Sequence, residues 1–340
     1  MEKLVYWYSK SLNRAFDIKS NALLSAKDIE FKMGSKYDQY DWSKEPPESW
    51  NELIKERCIQ LRDENKFLRL WYSGGEDSQT ILNCFIKHKI PIDEIGLMRV
   101  SIENNFNCLG NSEINKVALP FLNENRDKLF GANVKLYDLG LTEYTEYMKN
   151  FSLLKSNMVE FRISYHTALP EIFPGINEID GIKNIDGVDK PQIDIDYNNY
   201  KFYWYGDDAR LLSYVIDPKI KKDYEHFYID NLKIHAKQVY LAVDDFFNKK
   251  YCTSVVQNSK LSCRDKLYKP LSLKKATQTT LPEKVYYAIQ GCLRNPETRH
   301  IYKSYLRGLN ETGLDKIYFN RNNPKFYYRS IMSKKYYLKC

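Results

Sequence analysis

Short apolar runs alternate with amphipathic segments through the middle of this chain. The apolar runs are typical of buried strands, and they cover residues 67–72, 95–100, 133–138 and 181–187. The amphipathic segments repeat apolar residues at helical spacing, and they predict helices over residues 79–88, 111–129 and 142–157. Pro120 predicts a kink or break in the second of these helices. Strands and helices that alternate at these lengths predict an α/β fold, in which a parallel sheet is flanked by helices.

The segments on either side of this alternating run have different patterns. A proline pair at residues 46–47 precedes apolar residues at helical spacing, which predicts a helix. Residues 192–197 and 200–205 predict the two strands of a hairpin, and residues 229–247 predict a later helix. We therefore expect three regions: a helical lead-in over residues 1–66, an α/β domain over residues 67–206, and a mainly helical, basic C-terminal region over residues 207–340.

The composition favours a folded protein without a membrane span. Of the 340 residues, 43% are hydrophobic and 14% are aromatic, which is enough for a sizeable core. No run of 18 apolar residues occurs, and the first residues lack the apolar stretch of a signal peptide, so we expect a cytoplasmic protein. The seven cysteines are scattered without a CxxC pair, which argues against zinc or iron–sulfur sites of ordinary spacing.

Charge is unevenly distributed along the chain. The formal net charge is +8, but residues 259–340 contain 18 Lys and Arg against 5 Asp and Glu, a net charge of +13 that leaves −5 for residues 1–258. Tyrosines are interleaved with these cations, and cations together with aromatic rings suit phosphates and bases. The basic region therefore predicts tRNA or DNA as a partner. An ordinary solvated surface in a protein rich in Lys and Tyr explains the same composition, and both interpretations stay open.

Residues 73–78 have the sequence Ser-Gly-Gly-Glu-Asp-Ser and join the first predicted strand of the α/β domain to its first predicted helix. Glycines let the backbone approach an anion without a Cβ in the way, and a helix N-terminus presents N–H groups and partial positive charge to it. Ser73 and Ser78 can add hydroxyl donors, and Asp77 can hold a magnesium ion that bridges phosphate oxygens. This arrangement predicts a phosphate-binding loop.

This hexapeptide resembles the SGGxDS signature of the PP-loop ATP pyrophosphatases, a family that includes asparagine, GMP and NAD synthetases. The resemblance implies a PP-loop, HUP-like nucleotide-binding domain whose loop wraps the pyrophosphate part of ATP. It also implies ATP and Mg²⁺ as cofactors, with Asp77 as a magnesium ligand and a catalytic residue. Glu76 occupies the variable position of the signature, where it would face solvent or metal. The positions that match the signature are Ser73, Gly74, Gly75, Asp77 and Ser78.

The resemblance implies further site residues at the ends of other strands. The second strand of the family contacts adenine, which implies Met98 and Arg99 beside the base, although Arg99 also suits an exposed strand position. Asp189 and Lys190 follow the fourth predicted strand. The resemblance implies Asp189 as a second magnesium ligand and Lys190 as a catalytic cation on the pyrophosphate. With Pro191, the same two residues also have the composition of a simple turn.

The resemblance implies a reaction in which ATP is cut between its α and β phosphates. AMP is attached to a substrate oxygen, pyrophosphate is released, and a nucleophile then displaces AMP, which is a good leaving group. We expect amide or C–N bond formation on a small-molecule acceptor as the simplest case. Alternatives are modification of tRNA or DNA, sulfur transfer or reduction, and nucleotide binding without catalysis. Sulfur chemistry is disfavoured because the chain has no paired cysteines and Cys292 lacks the Glu-Cys-Gly context of the reductase relatives.

Overall fold

A computed structural model of the chain describes residues 6–16, 22, 25–101, 111, 113–140, 173–187, 192–195, 201–204, 223–248 and 334–338. The strands in these residues are β1 (Tyr6–Ser9), β2 (Arg14–Phe16), β3 (Ile29–Lys32), β4 (Phe67–Trp71), β5 (Glu94–Ser101), β6 (Asn133–Gly140), β7 (Ile182–Asp186), β8 (Gln192–Ile195), β9 (Lys201–Trp204), β10 (Tyr224–His226) and β11 (Tyr336–Tyr337). The helices are α1 (Ser35–Gln39), α2 (Trp50–Glu64), α3 (Glu76–Lys87), α4 (Leu119–Glu124) and α5 (Leu232–Asn248), with a π-helical turn at Ile114–Ala118 and a 3₁₀ turn at Arg126–Lys128. None of these described helices is both long and apolar enough to cross a membrane.

Five parallel strands form the central sheet, in the order β10-β7-β4-β5-β6. Numbered along the sequence, the five strands stand in the order 5-4-1-2-3 across the sheet, so the direction of winding reverses beside the first strand, as in a doubly wound fold. The predicted α/β fold with a parallel sheet and flanking helices is therefore confirmed. Most of the C-terminal region that is expected to be helical lies outside the described residues.

One face of the central sheet carries the main hydrophobic core. Leu68 and Leu70 of β4 and Ile95 and Leu97 of β5 are fully buried there. Helix α3 presents apolar residues at helical spacing to this face, namely Ile81, Leu82 and Phe85. Each fully buried aliphatic or aromatic side chain of this kind contributes about 1.5–3 kcal/mol, so this packing fixes α3, and the loop before it, on the sheet.

Helix α2 begins at a capping box, close to the start that its sequence pattern predicts. The Glu52 amide donates to Ser49 Oγ at 3.3 Å, and the Ser49 amide donates to Glu52 Oε2 at 2.7 Å. The helix packs against α5, where Lys237 Nζ donates to Glu45 Oε1 at 2.5 Å and to the Pro46 carbonyl oxygen at 2.9 Å. The start of α2 is therefore held in place by a helix almost two hundred residues later in the chain.

The helix predicted over residues 111–129 is divided into turns of different type. The π-helical turn ends at Ala118, α4 starts at Leu119, and Pro120 lies in the first turn of α4. Proline has no N–H and cannot continue the hydrogen-bond ladder of a preceding turn, so the type of turn changes where proline enters. The backbone keeps helical dihedral angles at Ala118 and Leu119, so the predicted kink or break takes the form of a change in turn type and the helical path is not interrupted.

The N-terminal residues contain strands that the sequence pattern did not predict. β1, β2 and β3 form an antiparallel sheet in the order β2-β1-β3. Trp7 of β1 is paired with Phe31 of β3, and the centroids of their rings are 6.1 Å apart. Strands of three or four residues are too short to show a clear period, and their pairing depends on distant residues. The expected helical lead-in over residues 1–66 is therefore wrong as a description, because it holds three strands as well as α1 and α2.

The central sheet extends beyond residue 206, where the α/β domain was expected to end. β10 pairs in parallel with β7, with Tyr224 opposite Asn184 and His226 opposite Asp186. The strand has only three residues, so no apolar period marks it in the sequence. The expected boundary at residue 206 is therefore wrong, because a strand of the same sheet follows it.

The last described strand, β11, pairs with β9 and packs against residues near the N-terminus. β8 and β9 form the predicted antiparallel hairpin, and β11 adds to the outer side of β9. Tyr336 of β11 is buried, its hydroxyl donates to Asp38 Oδ1 at 3.2 Å, and its ring centroid lies 5.7 Å from that of Trp42. Burial and the nearby Asp38 carboxylate raise the pKa of Tyr336. Lys334 and Tyr336 thus tie this strand to Asp38, in the N-terminal part of the chain.

Candidate functional site

The loop of residues 73–78 lies at the carboxyl end of β4, the middle strand of the central sheet. β5 lies on one side of β4 and β7 lies on the other, so the order of strands reverses at β4. In doubly wound sheets such a reversal opens a crevice outside the carboxyl ends of the strands, and ligands bind in it. The loop therefore occupies the position in this fold where a ligand is expected.

Helix α3 starts at Glu76 with Gly75 as its N-cap. The N–H groups of a first helical turn have no partner within the helix, and glycine has no side chain that could accept from them. These N–H groups and the positive end of the helix dipole favour an anion at this end of the twelve-residue helix. Glu76 is exposed.

Two serine hydroxyls fold the loop onto the start of α3. The Ser73 amide donates to Ser78 Oγ at 3.3 Å, and Ser78 Oγ donates to the Gly75 carbonyl oxygen at 3.1 Å. The Gly75 amide donates to Ser73 Oγ at 3.2 Å. Ser78 is buried and Ser73 is exposed. Ser78 therefore maintains the shape of the loop, whereas Ser73 is the loop serine that a ligand from solvent can reach.

Gly74 has a conformation and surroundings that suit only glycine. Its φ is +80°, in the left-handed region that residues with a Cβ rarely adopt. A Cβ at this position would lie 3.0 Å from the Ala118 amide nitrogen and 3.1 Å from the Glu113 carbonyl oxygen. The π-helical turn before α4 therefore packs directly against the loop.

Asp77 lies in the first turn of α3 and is held from the side of β7. A Cβ at Gly187, directly after β7, would lie 3.0 Å from Asp77 Cβ and 3.1 Å from the Ser78 amide nitrogen. The Tyr228 hydroxyl donates to the Asp77 carbonyl oxygen at 2.9 Å. Asp77 is partly buried. Asp77 is thus placed where the loop meets the ends of β7 and β10.

A buried histidine–carboxylate pair joins β7 and β10 beside these contacts. His226 Nδ1 contacts Asp186 Oδ1, and the two residues face each other at the carboxyl ends of their strands. Their side chains are 1% and 5% exposed. The Phe227 amide also donates to the Asp186 carbonyl oxygen at 2.9 Å. The sequence did not reveal this pair. The two residues are forty positions apart and meet only because their strands are neighbours, so no short-range pattern in the sequence marks them.

The residues predicted beside adenine lie on β5, next to the loop strand. Arg99 forms a two-pronged ion pair with Asp138 of β6, with Nε 2.7 Å from Oδ1 and Nη2 2.8 Å from Oδ2. Met98 packs against a small cluster that includes Trp71 and Tyr137. The role of both residues beside a base stays a prediction, and the Arg99 guanidinium is held by the neighbouring strand.

Asp189 and Lys190, the predicted second magnesium ligand and the predicted catalytic cation, lie outside the described residues. β7 ends at Asp186, and Gly187 is the last described residue before them. Residues 249–333, which include Cys292 and most of the basic region, also lie outside the described part of the chain. The roles expected for these residues stay predictions.

A buried polar network lies on the second face of the sheet and links four neighbouring strands. Arg69 Nε donates to Glu94 Oε1 at 2.5 Å, and Arg69 Nη1 donates to Asn184 Oδ1 at 3.1 Å. The Tyr137 hydroxyl donates to Glu94 Oε1 at 2.7 Å, and Trp71 Nε1 donates to Asn184 Oδ1 at 3.1 Å. Burial and this bond to the Glu94 carboxylate raise the pKa of Tyr137. The network joins β7, β4, β5 and β6, and it fixes the relative positions of the strands that carry the loop.

The residues around the loop suit a phosphate group together with a magnesium ion. Glu76, Asp77 and Glu113 bring carboxylates to the loop, and Glu113 Oε2 is 3.8 Å from the position that a Cβ on Gly75 would take. Mg²⁺ is usually held by one or two carboxylates, and phosphate oxygens and waters complete its coordination. In the described ranges, no three His, Cys, Asp or Glu side chains form a ready-made metal site. The sequence pattern does not reveal Glu113, because it predicts this segment only as part of a flanking helix.

A cavity of about 600 Å³ lies at the opposite edge of the central sheet. It is lined by residues that precede β4, β7 and β10 and by the first residues of β7, among them Glu64, Lys66, Asp180 and Asp223. The loop of residues 73–78 lies at the carboxyl end of β4 and does not line it. This cavity is therefore separate from the candidate site.

No known protein-family profile and no curated protein matches this chain. The solved structures that match include NMN synthetase from Francisella tularensis, at 13% sequence identity and a TM-score of 0.27, over 42% of this chain and 56% of that one. The chain thus spans little more than half the length of that protein. A likeness of this size says nothing about activity, so a function for this chain has to be argued from the loop and from the sheet that carries it.

Proposed function

We propose that this chain binds ATP with Mg²⁺ at the loop of residues 73–78 and transfers AMP to an acceptor, with release of pyrophosphate. One observation carries the proposal. The Ser-Gly-Gly-Glu-Asp-Ser sequence follows the central strand of a doubly wound sheet at the point where the strand order reverses, and it leads into the N-terminus of α3. Both the sequence of the loop and its place in the fold suit the phosphates of a nucleotide.

In this proposal the loop holds the pyrophosphate part of ATP. The first-turn N–H groups of α3 and the Ser73 hydroxyl donate to phosphate oxygens, and Gly74 keeps the backbone free of a Cβ where Glu113 and Ala118 approach. Asp77 holds Mg²⁺, which supplies positive charge to the phosphates. Ser78 keeps the loop in shape through its bonds to Ser73 and Gly75.

The remaining predicted residues complete the proposed site. Adenine lies at the carboxyl end of β5 beside Met98 and Arg99. Asp189 and Lys190 follow β7 in the sequence, and they act as a magnesium ligand and as a cation on the pyrophosphate. Transfer of AMP then depends on positioning and charge neutralisation, which are the main contributions of a protein to this class of reaction.

The proposed acceptor is a small molecule whose oxygen is activated by AMP, such as a carboxylate, and the proposed product is an amide or another C–N bond. The net charge of −5 over residues 1–258, which include the loop, disfavours a polyanion at the site. The net charge of +13 over residues 259–340 is the observation that favours tRNA or DNA as a second candidate.

Isothermal titration calorimetry of the full-length protein with ATP, AMP and GTP tests the binding step. We expect a preference for adenine nucleotides and a loss of at least about tenfold in ATP affinity in Asp77→Ala. Asp127→Ala is the matched control, because Asp127 is an exposed aspartate in the 3₁₀ turn after α4. Equal affinity for GTP and ATP, or unchanged affinity in Asp77→Ala, would contradict the proposal.

Pyrophosphate release in the presence of pooled metabolites, and separately of tRNA and duplex DNA, tests the reaction and the class of acceptor. We expect AMP and pyrophosphate as products, with stimulation by one of the pools. Formation of ADP and phosphate would exclude transfer of AMP. Binding of ATP without turnover in every pool would indicate a nucleotide-binding protein that does not catalyse.

A further inference from the structure

Glu113 approaches the phosphate-binding loop from a part of the chain that the loop signature does not include. It lies at the start of the π-helical turn that precedes α4, after β5. Its carbonyl oxygen would be 3.1 Å from a Cβ on Gly74, and its Oε2 would be 3.8 Å from a Cβ on Gly75. Both the backbone and the carboxylate of Glu113 are therefore close to the two glycines of the loop.

The place of this carboxylate is set by the packing of its segment. Ile114 and Ala118 are buried in the main core, and the Ala118 amide nitrogen would lie 3.0 Å from a Cβ on Gly74. The Glu113 side chain is partly buried. A partly buried charge next to a loop interacts more strongly with whatever the loop binds than an exposed charge does, because burial reduces screening by water.

A carboxylate at this position has opposite effects on two forms of the same ligand. It repels a bare phosphate at the loop, because both groups are negative. It attracts a phosphate that carries a divalent cation, since Mg²⁺ accepts carboxylate oxygens together with phosphate oxygens. Glu113 differs from Glu76 and Asp77, the acidic residues of the loop itself, because it comes from a separate segment and reaches the loop only through packing.

We propose that Glu113 makes the loop of residues 73–78 selective for a nucleotide in complex with a divalent cation, against the same nucleotide without metal. The proposal rests on the proposed function, because it assigns part of the metal requirement of that site to a residue outside the signature. Glu113 is a specificity-determining residue, because its negative charge repels a nucleotide without metal and attracts one that carries a divalent cation.

The test is the affinity of the full-length protein for ATP, measured by calorimetry in excess Mg²⁺ and again in EDTA. The selectivity is the ratio of the dissociation constant without metal to that with Mg²⁺. In Glu113→Gln, which keeps the size of the side chain and removes its charge, we expect ATP to bind more tightly in EDTA and more weakly in Mg²⁺. The selectivity should fall by about tenfold. Glu124→Gln at the exposed end of α4 is the matched control and should leave both affinities unchanged.

The opposite directions of the two affinity changes, in EDTA and in Mg²⁺, distinguish this role from a structural one. Weaker binding by the same factor in both conditions would show that Glu113 only shapes the loop, and it would overturn the inference. Tighter binding by the same factor in both would show simple repulsion of the ligand and would also overturn it, as would no change. If the wild type binds ATP in neither condition, the proposed function fails first. Thermal unfolding checks that Glu113→Gln is folded, and Glu113→Ala repeats the test if it is not.

Discussion

Gly187, directly after β7, packs on Asp77 so closely that a Cβ at Gly187 would lie 3.0 Å from Asp77 Cβ. The next atoms in reach are the Asp77 carbonyl carbon and the Ser78 amide nitrogen, both at 3.1 Å, and backbone atoms cannot rotate away as a flexible side chain can. The first turn of α3 is therefore fixed by the end of β7, although the two segments are more than a hundred residues apart in the sequence.

We expect Gly187→Ala to weaken ATP binding by at least about tenfold, because the new methyl group has to displace the first turn of α3. Calorimetry measures the affinity, and urea unfolding measures the stability. Gly131→Ala is the control: Gly131 has a φ of +83° with open space around it, so alanine there costs stability, by about 1 kcal/mol, and leaves ATP affinity unchanged. Normal ATP affinity in Gly187→Ala would contradict the proposed place of the ligand.

Tyr228→Phe removes the hydroxyl that donates to the Asp77 carbonyl oxygen. We expect a loss of about 0.5–1.5 kcal/mol in the free energy of unfolding, as for a single hydrogen bond, and a decrease of a few-fold in ATP affinity. Tyr240→Phe is the matched control, because its buried hydroxyl donates to the Trp42 carbonyl oxygen at the same 2.9 Å. The two variants should lose similar stability, but only Tyr228→Phe should lose affinity. Equal affinity in both would show that this bond does not position the loop.

The buried pair of Arg69 and Glu94 gives a prediction about stability. Their side chains are 1% and 5% exposed, so removing one charge leaves the other buried without its main partner. We expect Arg69→Met or Glu94→Gln alone to lower the free energy of unfolding by about 3–5 kcal/mol. The double variant should lose clearly less than the sum of the single losses. Urea unfolding of the four proteins measures the coupling, and strictly additive losses would argue against a direct pair.

His235 makes stability depend on pH. Its ring lies at right angles to that of Trp42, with the centroids 5.5 Å apart, and burial together with the nearby Lys36 lowers the pKa of His235 from 6.5 to about 3. Between these two pKa values the unfolded chain binds a proton that the folded chain does not. The contribution of His235 to the free energy of unfolding is therefore fully present above pH 6.5 and is lost as the pH falls below it. We expect a decrease of up to about 1.4 kcal/mol per pH unit.

Urea unfolding near pH 7 and near pH 5 measures this decrease in the wild type and in His235→Phe. The variant has no group that titrates at this position, so its stability should change less between the two conditions. An identical change in both proteins would show that other groups cause the pH dependence.

The sequence predicted the elements whose signal is local. Leu68 and Leu70 belong to a compact apolar run, and the helix after it has a clear apolar face, so β4, α3 and the loop between them were found. The change of turn type at Pro120 also follows from one residue, because proline lacks an N–H. In each case a few neighbouring residues decide the structure.

The sequence did not predict features that depend on distant partners. β10 is a strand because Tyr224 pairs with Asn184, and β1 is one because Trp7 meets Phe31. Glu113 reaches the loop only because its segment packs against Gly74. Tertiary packing sets these positions, and neither the period nor the composition of the segments shows it.

Because β11 is paired with β9 and Tyr336 is buried against Trp42, residues 249–333 are bounded at both ends by parts of the fold, α5 and β11. A linker that replaces them has to span the gap between these two anchors. The entropy of closing a flexible loop grows slowly with its length, by about 0.6 kcal/mol for each doubling, so a shorter Gly-Ser linker should close this gap at little cost in stability. Cutting the chain before β11 instead opens the loop and removes Tyr336 from the core. Binding of nucleic acid by the basic region is therefore best tested by internal replacement.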